Sequence, residues 1–268
     1  MTENLIINIF LILNFLVFAL ICFMHIEKKS LFNKTLFYTH LLVIIIVNML
    51  ICSNKVYNFS NNLTIISSLL MIILLSLYFV LSLISFTFVR LRLIFLPFFL
   101  ILLTFFLISS SIYRSETQEI ELFKNKFLIT HILSSLFSYS MLTMCSITSL
   151  SVFAQEKILK NQKFNKYFSS LFPSVYEGEK LTIKFLQLTL LTLIVSLVSG
   201  FYSNKIQNTN LDYFYNEKSI LSIFTLLTII AVLFLRGFWG LTTKTTLKTT
   251  LMCYFFINFS YFGIKLIN

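Results

Sequence analysis

Three imidazoles, His25, His40 and His131, are the side chains near apolar stretches whose chemistry suits metal ligation or proton transfer at neutral pH. All ten carboxylates lie between the apolar runs, so no Asp or Glu stands where a proton- or sodium-coupled carrier holds one at mid-membrane. The four cysteines, Cys22, Cys52, Cys145 and Cys253, form no CxxC and have no zinc-site spacing. Each falls in or at the edge of an apolar run and reads as a small apolar filler. His131 has the richest surroundings. In ITHILSSLFSYSMLTMCSITSLS, the residues His131, Ser135, Ser138, Cys145 and Ser149 recur at steps of three, four and seven, which puts them near one face of a helix. Two readings follow. Hydroxyls beside an imidazole can orient it as a ligand, and small polar residues can equally form a packing stripe between helices in lipid. His25, at the end of an apolar run, reads as an interfacial anchor.

The elements that must position these groups are set by composition. The chain has 268 residues, of which 57% are hydrophobic and 12% charged, with a mean hydropathy of +0.89. A soluble domain of this size cannot bury so much apolar surface, whereas the hydrocarbon of a bilayer solvates it directly. The apolar runs are continuous rather than alternating, and Gly (5) and Pro (2) are scarce, so the runs predict helices and not barrel strands. Crossing the hydrocarbon core takes about 20 residues. On that criterion spans are expected near 5–25, 36–53, 65–89, 93–113, 128–154, 181–202, 219–235 and 249–267. The first lacks a basic leader and a small-residue cleavage site, so it reads as a span and not as a signal peptide. The third and fourth are separated only by Arg90, Leu91 and Arg92, a tight helical hairpin. The expected fold is an all-α polytopic membrane bundle of about eight transmembrane helices, forming a single membrane domain over 1–268.

The net charge of +11 does not indicate nucleic acid, because the basic residues are scattered among short connections with no soluble stretch to form a groove. The abundance of Phe, Ile, Asn and Lys, with 17 Lys to 4 Arg, matches the bias of an AT-rich genome, and aromatic content alone carries no functional argument. The distribution of the cations does orient the chain. Alternate connections carry 14 basic residues, including Arg90, Arg92, Lys157, Lys160, Lys163, Lys166 and Arg236, against 7 on the other side. The richer side is expected to be cytoplasmic, which places both termini outside. The longest inner connection, 155–180, contains KILKNQKFNKYFSSLF, which interleaves Lys with Phe164, Phe168, Leu171 and Phe172 and suits either an interfacial helix or a solvated linker.

The order of motifs resembles the cytochrome c assembly protein family of the CcsA/CcmC type, and within it the YpjD/HemX-like inner-membrane branch. HILSSLFSYS is similar to the branch's histidine-led motif, carried by His131, Ser135, Phe137, Ser138 and Tyr139. A basic linker, then Leu171, Phe172, Pro173 and Glu179, precede a span ending in Ser199-Gly200-Phe201-Tyr202. Lys218-Ser219-Ile220-Leu221-Ser222 opens the next span, and Tyr261-Phe262-Gly263 stands in the last. The resemblance is densest over 128–268; the first 127 residues match in topology alone.

The resemblance implies a bacterial inner-membrane protein that binds or handles haem non-covalently, with His131 as a candidate axial ligand of the iron. Membrane lipid, haem and other membrane assembly proteins are the implied partners, with no nucleic acid and no stated oligomeric order. Departures from the family matter as much. Synthases of the wider family present haem on an outer tryptophan-rich segment flanked by histidines, and here the single tryptophan, Trp239, falls in an inner connection. The branch's basic Gly-Trp-Arg-Gly element is present only as Arg236-Gly237-Phe238-Trp239-Gly240, and the depth at which the branch often has a histidine in its second span is occupied by Asn48. His40 and His131, near opposite faces, are expected not to share one iron. The reading is therefore a protein that is not an enzyme. The competing readings are a permease-like subunit for another apolar ligand, a cytochrome c haem lyase, and a structural or chaperone role in membrane-protein assembly.

Overall fold

The structure is a computed structural model and describes residues 2–24, 26, 31–57, 62–112, 126–160, 172–206, 217–240 and 242–260. Among the described residues there are nine α-helices and no strand: α1 (Thr2–Phe23), α2 (Leu31–Tyr57), α3 (Asn62–Ile84), α4 (Phe86–Arg90), α5 (Arg92–Ile112), α6 (Lys126–Lys160), α7 (Val175–Ile206), α8 (Glu217–Trp239) and α9 (Thr243–Asn258). The expected spans fall in order on all of these except α4. Six helices (α2, α3, α5, α6, α7 and α8) are long and apolar enough to cross a membrane. In α1 the apolar part is the shorter Ile7–Phe23, and α9 has 16 residues. Many apolar side chains point away from the protein, Leu20 (70% exposed), Ile84 (74%) and Leu191 (60%) among them. Such a surface needs lipid around it, and the chain is a multi-pass membrane protein. His25, most of the outer connections and the end of the last expected span (261–267) lie outside the described residues, as does most of the Lys/Phe stretch in 155–180.

The sequence reads as one domain; the helices cluster into two compact units, Met1–Ile120 and Glu121–Asn268. In the first, α1, α2 and α5 surround α3 or each other through an aromatic core. Tyr78 and Phe95 stack with centroids 4.1 Å apart, and Phe18, Phe37 and Phe99 are buried around them.

The expected hairpin is corrected here. The third helix stops at Ile84, a full turn before the expected end at 89, because Ser85 breaks it with an extended backbone and caps α4 by accepting from the Thr87 amide. A break in an apolar environment frees carbonyls that must be satisfied. The Tyr38 hydroxyl donates to Ser82 O (2.9 Å) and the Tyr78 hydroxyl to Phe88 O (3.1 Å). Arg92, read from sequence as a residue of the inner connection, is 2% exposed. Its Nε donates to Cys22 O (2.8 Å), Nη1 to Val89 O (3.0 Å) and Nη2 to Met24 O (3.0 Å), closing the end of α1 onto the start of α5.

In the second unit, α6 and α7 lie antiparallel in the most extensive helix contact of the molecule, and α9 packs on α6 and α8. The inner connection is shorter than 155–180, since α6 continues to Lys160 and α7 opens at Val175. Ser174 and Glu177 form a capping box at that start: Glu177 N donates to Ser174 Oγ and Ser174 N to Glu177 Oε2, both at 3.3 Å. One turn later Gly178 lies against α6, so close that a Cβ there would stand 2.6 Å from Val152 Cγ2. Absence of a side chain lets the two backbones approach, which is how helices gain contact in lipid.

Candidate functional site

His131 lies one and a half turns into α6 and is partly buried against α7. Its Nδ1 is 2.7 Å from the carbonyl oxygen of Ser196 and 3.4 Å from that residue's hydroxyl. A carbonyl only accepts, so Nδ1 carries the proton and the lone pair of the neutral ring is on Nε2. This is the tautomer in which a histidine binds iron, with its other nitrogen fixed by a carbonyl. Of the two readings of the serine stripe, the hydrogen bonds favour packing. Ser135 donates to Ile132 O, Ser138 to Ser135 O and Ser149 to Cys145 O, all within α6. The stripe is a packing surface, with Cys145 reaching α7 through Thr182 O (3.2 Å), and the imidazole is oriented from the neighbouring helix instead.

One turn nearer the start of α6, the rings of Phe127 and Tyr202 lie 5.9 Å apart and are inclined by 29°. The remaining motif residues make long-range links. Tyr139, fully buried, donates to Asn258 Oδ1 of α9 (2.6 Å). At the other end of the unit Arg236 forms an ion pair with Glu179, whose Oε1 also accepts from the Thr243 hydroxyl (2.7 Å). That cluster ties the start of α7 to the end of α8 and the start of α9.

A family model for cytochrome c assembly proteins matches residues 60–268. The chain belongs to the cytochrome c assembly protein family. The match runs well past the 128–268 over which the motifs are densest, and it crosses the boundary between the two units. No curated protein and no solved structure matches the chain. Family membership supports a role in cytochrome c biogenesis.

Within this family member the motif residues sort by position. His131 is bonded at Ser196, whereas Glu179, Arg236 and thus the neighbouring Trp239 gather about the start of α7. The 17 residues from Glu179 to Ser196 correspond to about 25 Å along the helix, so Trp239 and the imidazole occupy opposite ends of the second unit. His40 belongs to the first unit. Its ring is near-parallel to Phe18 (6.4 Å, 20°), the Asn14 backbone carbonyl approaches it, and Nε2 is buried without a hydrogen-bond partner. Among the described residues no three His, Cys, Asp or Glu side chains come together as a metal site, and the four cysteines are buried free thiols.

Sequence reasoning missed Ser196 and the Glu179–Arg236 pair. Backbone carbonyls leave no mark in a sequence. The ion pair joins residues 57 positions apart, and its one signal was that Glu179 and Arg236 each belong to a family-like element.

Proposed function

We propose that this chain is a haem-binding and haem-handling protein of cytochrome c biogenesis in a bacterial inner membrane, with no covalent catalysis of its own. The observation that carries it is the His131 imidazole, oriented by Ser196 O in the tautomer whose ring lone pair is on Nε2. Haem, when bound, would supply an iron that accepts an imidazole nitrogen, and His131 would hold it. The chain's own residues hold and orient. Ser196 fixes the rotation of the ring, and the α6–α7 contact fixes the distance between the two helices. The outward apolar surface keeps the His131 end of the unit within reach of lipid-dissolved ligand.

Detergent-purified protein titrated with haem is expected to give a Soret band typical of imidazole ligation. His131→Ala should fold as the wild type and lose or shift that band, while His25→Ala leaves it alone. A wild type that takes up no haem, or a His131→Ala spectrum identical to it, overturns the reading.

The proposed absence of covalent catalysis is supported by the separation of Trp239 from His131, since a single surface combining tryptophan and histidine is what would present haem to an apocytochrome. Expression with an apocytochrome in a strain lacking its own assembly system should yield no covalent cytochrome c. Its appearance would restore the lyase reading.

A further inference from the structure

At the end of the first unit where α2 begins and α3 stops, two cations converge on one aromatic ring. Lys34 Nζ, from the first turn of α2, lies 5.3 Å from the ring centroid of Phe86, and Arg90 Cζ lies 5.7 Å from it. Together these distances put the two cationic centres no more than about 11 Å apart. Local folding explains the convergence. The extended backbone of Ser85 ends α3 and starts α4, in which Phe86 and Arg90 are four residues apart and share a face. On α2, Lys34 stands one turn before Tyr38, whose hydroxyl and ring engage Ser82 and Phe79 of α3. The same face of α2 therefore carries Lys34 to the next level of the α3–α4 side, at Phe86.

Two like charges gathered this closely at a membrane boundary repel each other, and the negative face of the ring offsets that only in part. One anion between them removes the repulsion. A phosphate diester has two free oxygens, which can accept from an ammonium and a guanidinium at once. The two connections at this end carry matching charge in the sequence, Lys28, Lys29, Lys34, Arg90 and Arg92 against Glu27. The surroundings indicate where the phosphate comes from. Phe32, Leu83 and Ile84, at the same end, are exposed apolar side chains that extend the lipid-facing surface up to the cations.

We propose that Lys34 and Arg90, gathered on Phe86, form a headgroup site for an anionic phospholipid. Its acyl chains lie along the apolar surface of α3 while its phosphate bridges the two cations. Basic side chains next to a membrane span are attracted to the negative surface of an anionic leaflet, and here two of them are aimed at one point. The site lies within the first unit and is independent of His131 and of the haem reading.

Native mass spectrometry of the detergent-released protein counts bound lipids as phosphatidylglycerol or phosphatidylcholine is added, and gives the affinity for the first of each. The two lipids share the phosphate and the acyl chains, and only the first has a net charge. The wild type is expected to prefer phosphatidylglycerol by roughly twofold to fivefold per cation. Lys34→Gln/Arg90→Gln should lose that preference, whereas Lys34→Arg/Arg90→Lys, with the same charges, should keep it. Phe86→Leu leaves both charges but no longer gathers them, and should keep only part. Lys180→Gln/Lys184→Gln removes two exposed cations from the start of α7 and should change nothing. Gel filtration and circular dichroism check that each variant is folded. The single variants Lys34→Gln and Arg90→Gln, each losing part of the preference, serve where the double variant does not fold.

Equal affinity of the wild type for the two lipids, or a preference that survives loss of both cations, overturns the proposal. So does an equal fall in Lys180→Gln/Lys184→Gln, which would make the preference a property of scattered basic charge. Displacement of bound phosphatidylglycerol by an equal concentration of inorganic phosphate would make the ligand a soluble anion and overturn it as well.

Discussion

Arg92→Leu is expected to destabilise the first unit by about 3 kcal/mol, seen as a lower thermal midpoint in detergent and earlier proteolysis between α1 and α2. Leucine fills part of the volume but donates nothing. The carbonyls of Cys22 and Met24 belong to the last turn and exit of α1, where no amide of the same helix can reach them, and Val89 O belongs to the end of α4. The lost hydrogen bonds come from a cation, each stronger than a neutral one. Removing the charge recovers part of its desolvation cost, which keeps the net below the sum of three such bonds. Arg92→Lys should recover only part of the loss, because an ammonium on a flexible stem cannot match the guanidinium fork aimed at three fixed acceptors. A leucine variant as stable as the wild type would show that water or other donors replace the guanidinium.

Gly178 is the second position where a small change should have a large consequence. In Gly178→Ala the new methyl would meet Val152 Cγ2 at 2.6 Å, and valine cannot swing away freely because its branched χ1 is fixed by its own helix. Val152 is itself buried, at 1% exposure. Overpacking of this kind costs about 1–3 kcal/mol, partly offset by the better helix propensity of alanine. Gly178→Leu should prevent the α6–α7 contact and abolish accumulation of folded protein. Val152→Ala in the Gly178→Ala background should restore stability relative to Gly178→Ala alone, although by itself it opens a cavity. Purely additive effects in this double-mutant cycle would refute the close contact.

Much of the architecture was legible because lipid allows few solutions. Continuous apolar runs of span length can only be helices, and the helices occur where those runs are. The third helix shows the limit. Hydropathy saw no difference between Ile84 and Val89, while a serine between apolar residues ended one helix and capped the next. Arg92 shows another: a charge at the end of an apolar run looks like a loop residue, and only three-dimensional proximity to α1 makes it a buried clamp. At the candidate site the sequence singled out His131 but left open whether its neighbouring hydroxyls orient it or only pack, and could not name its partner. Serines spaced along α6 share a face with the imidazole, yet a serine in a helix reaches its own preceding carbonyls first. The partner on α7 is a main-chain atom, which every residue possesses and no motif can advertise.

That self-sufficiency of the α6 hydroxyls has a bearing on how the chain is made. From Ser134 to Ser151, Ser135, Ser138, Ser140, Thr143, Ser146 and Ser149 each donate to a carbonyl three or four residues back in the same helix. A nascent helix released sideways into the bilayer meets acyl chains before it meets its neighbours, and any donor left bare there resists partitioning. Because α6 has quenched its hydroxyls internally, it can leave the translocation machinery before α7 and α9 have been synthesised. The side chains that do look outward, His131 toward Ser196, Tyr139 toward Asn258, and Cys145 and Thr148 toward Thr182, then act at a later stage, as the groups by which an already inserted helix selects its neighbours.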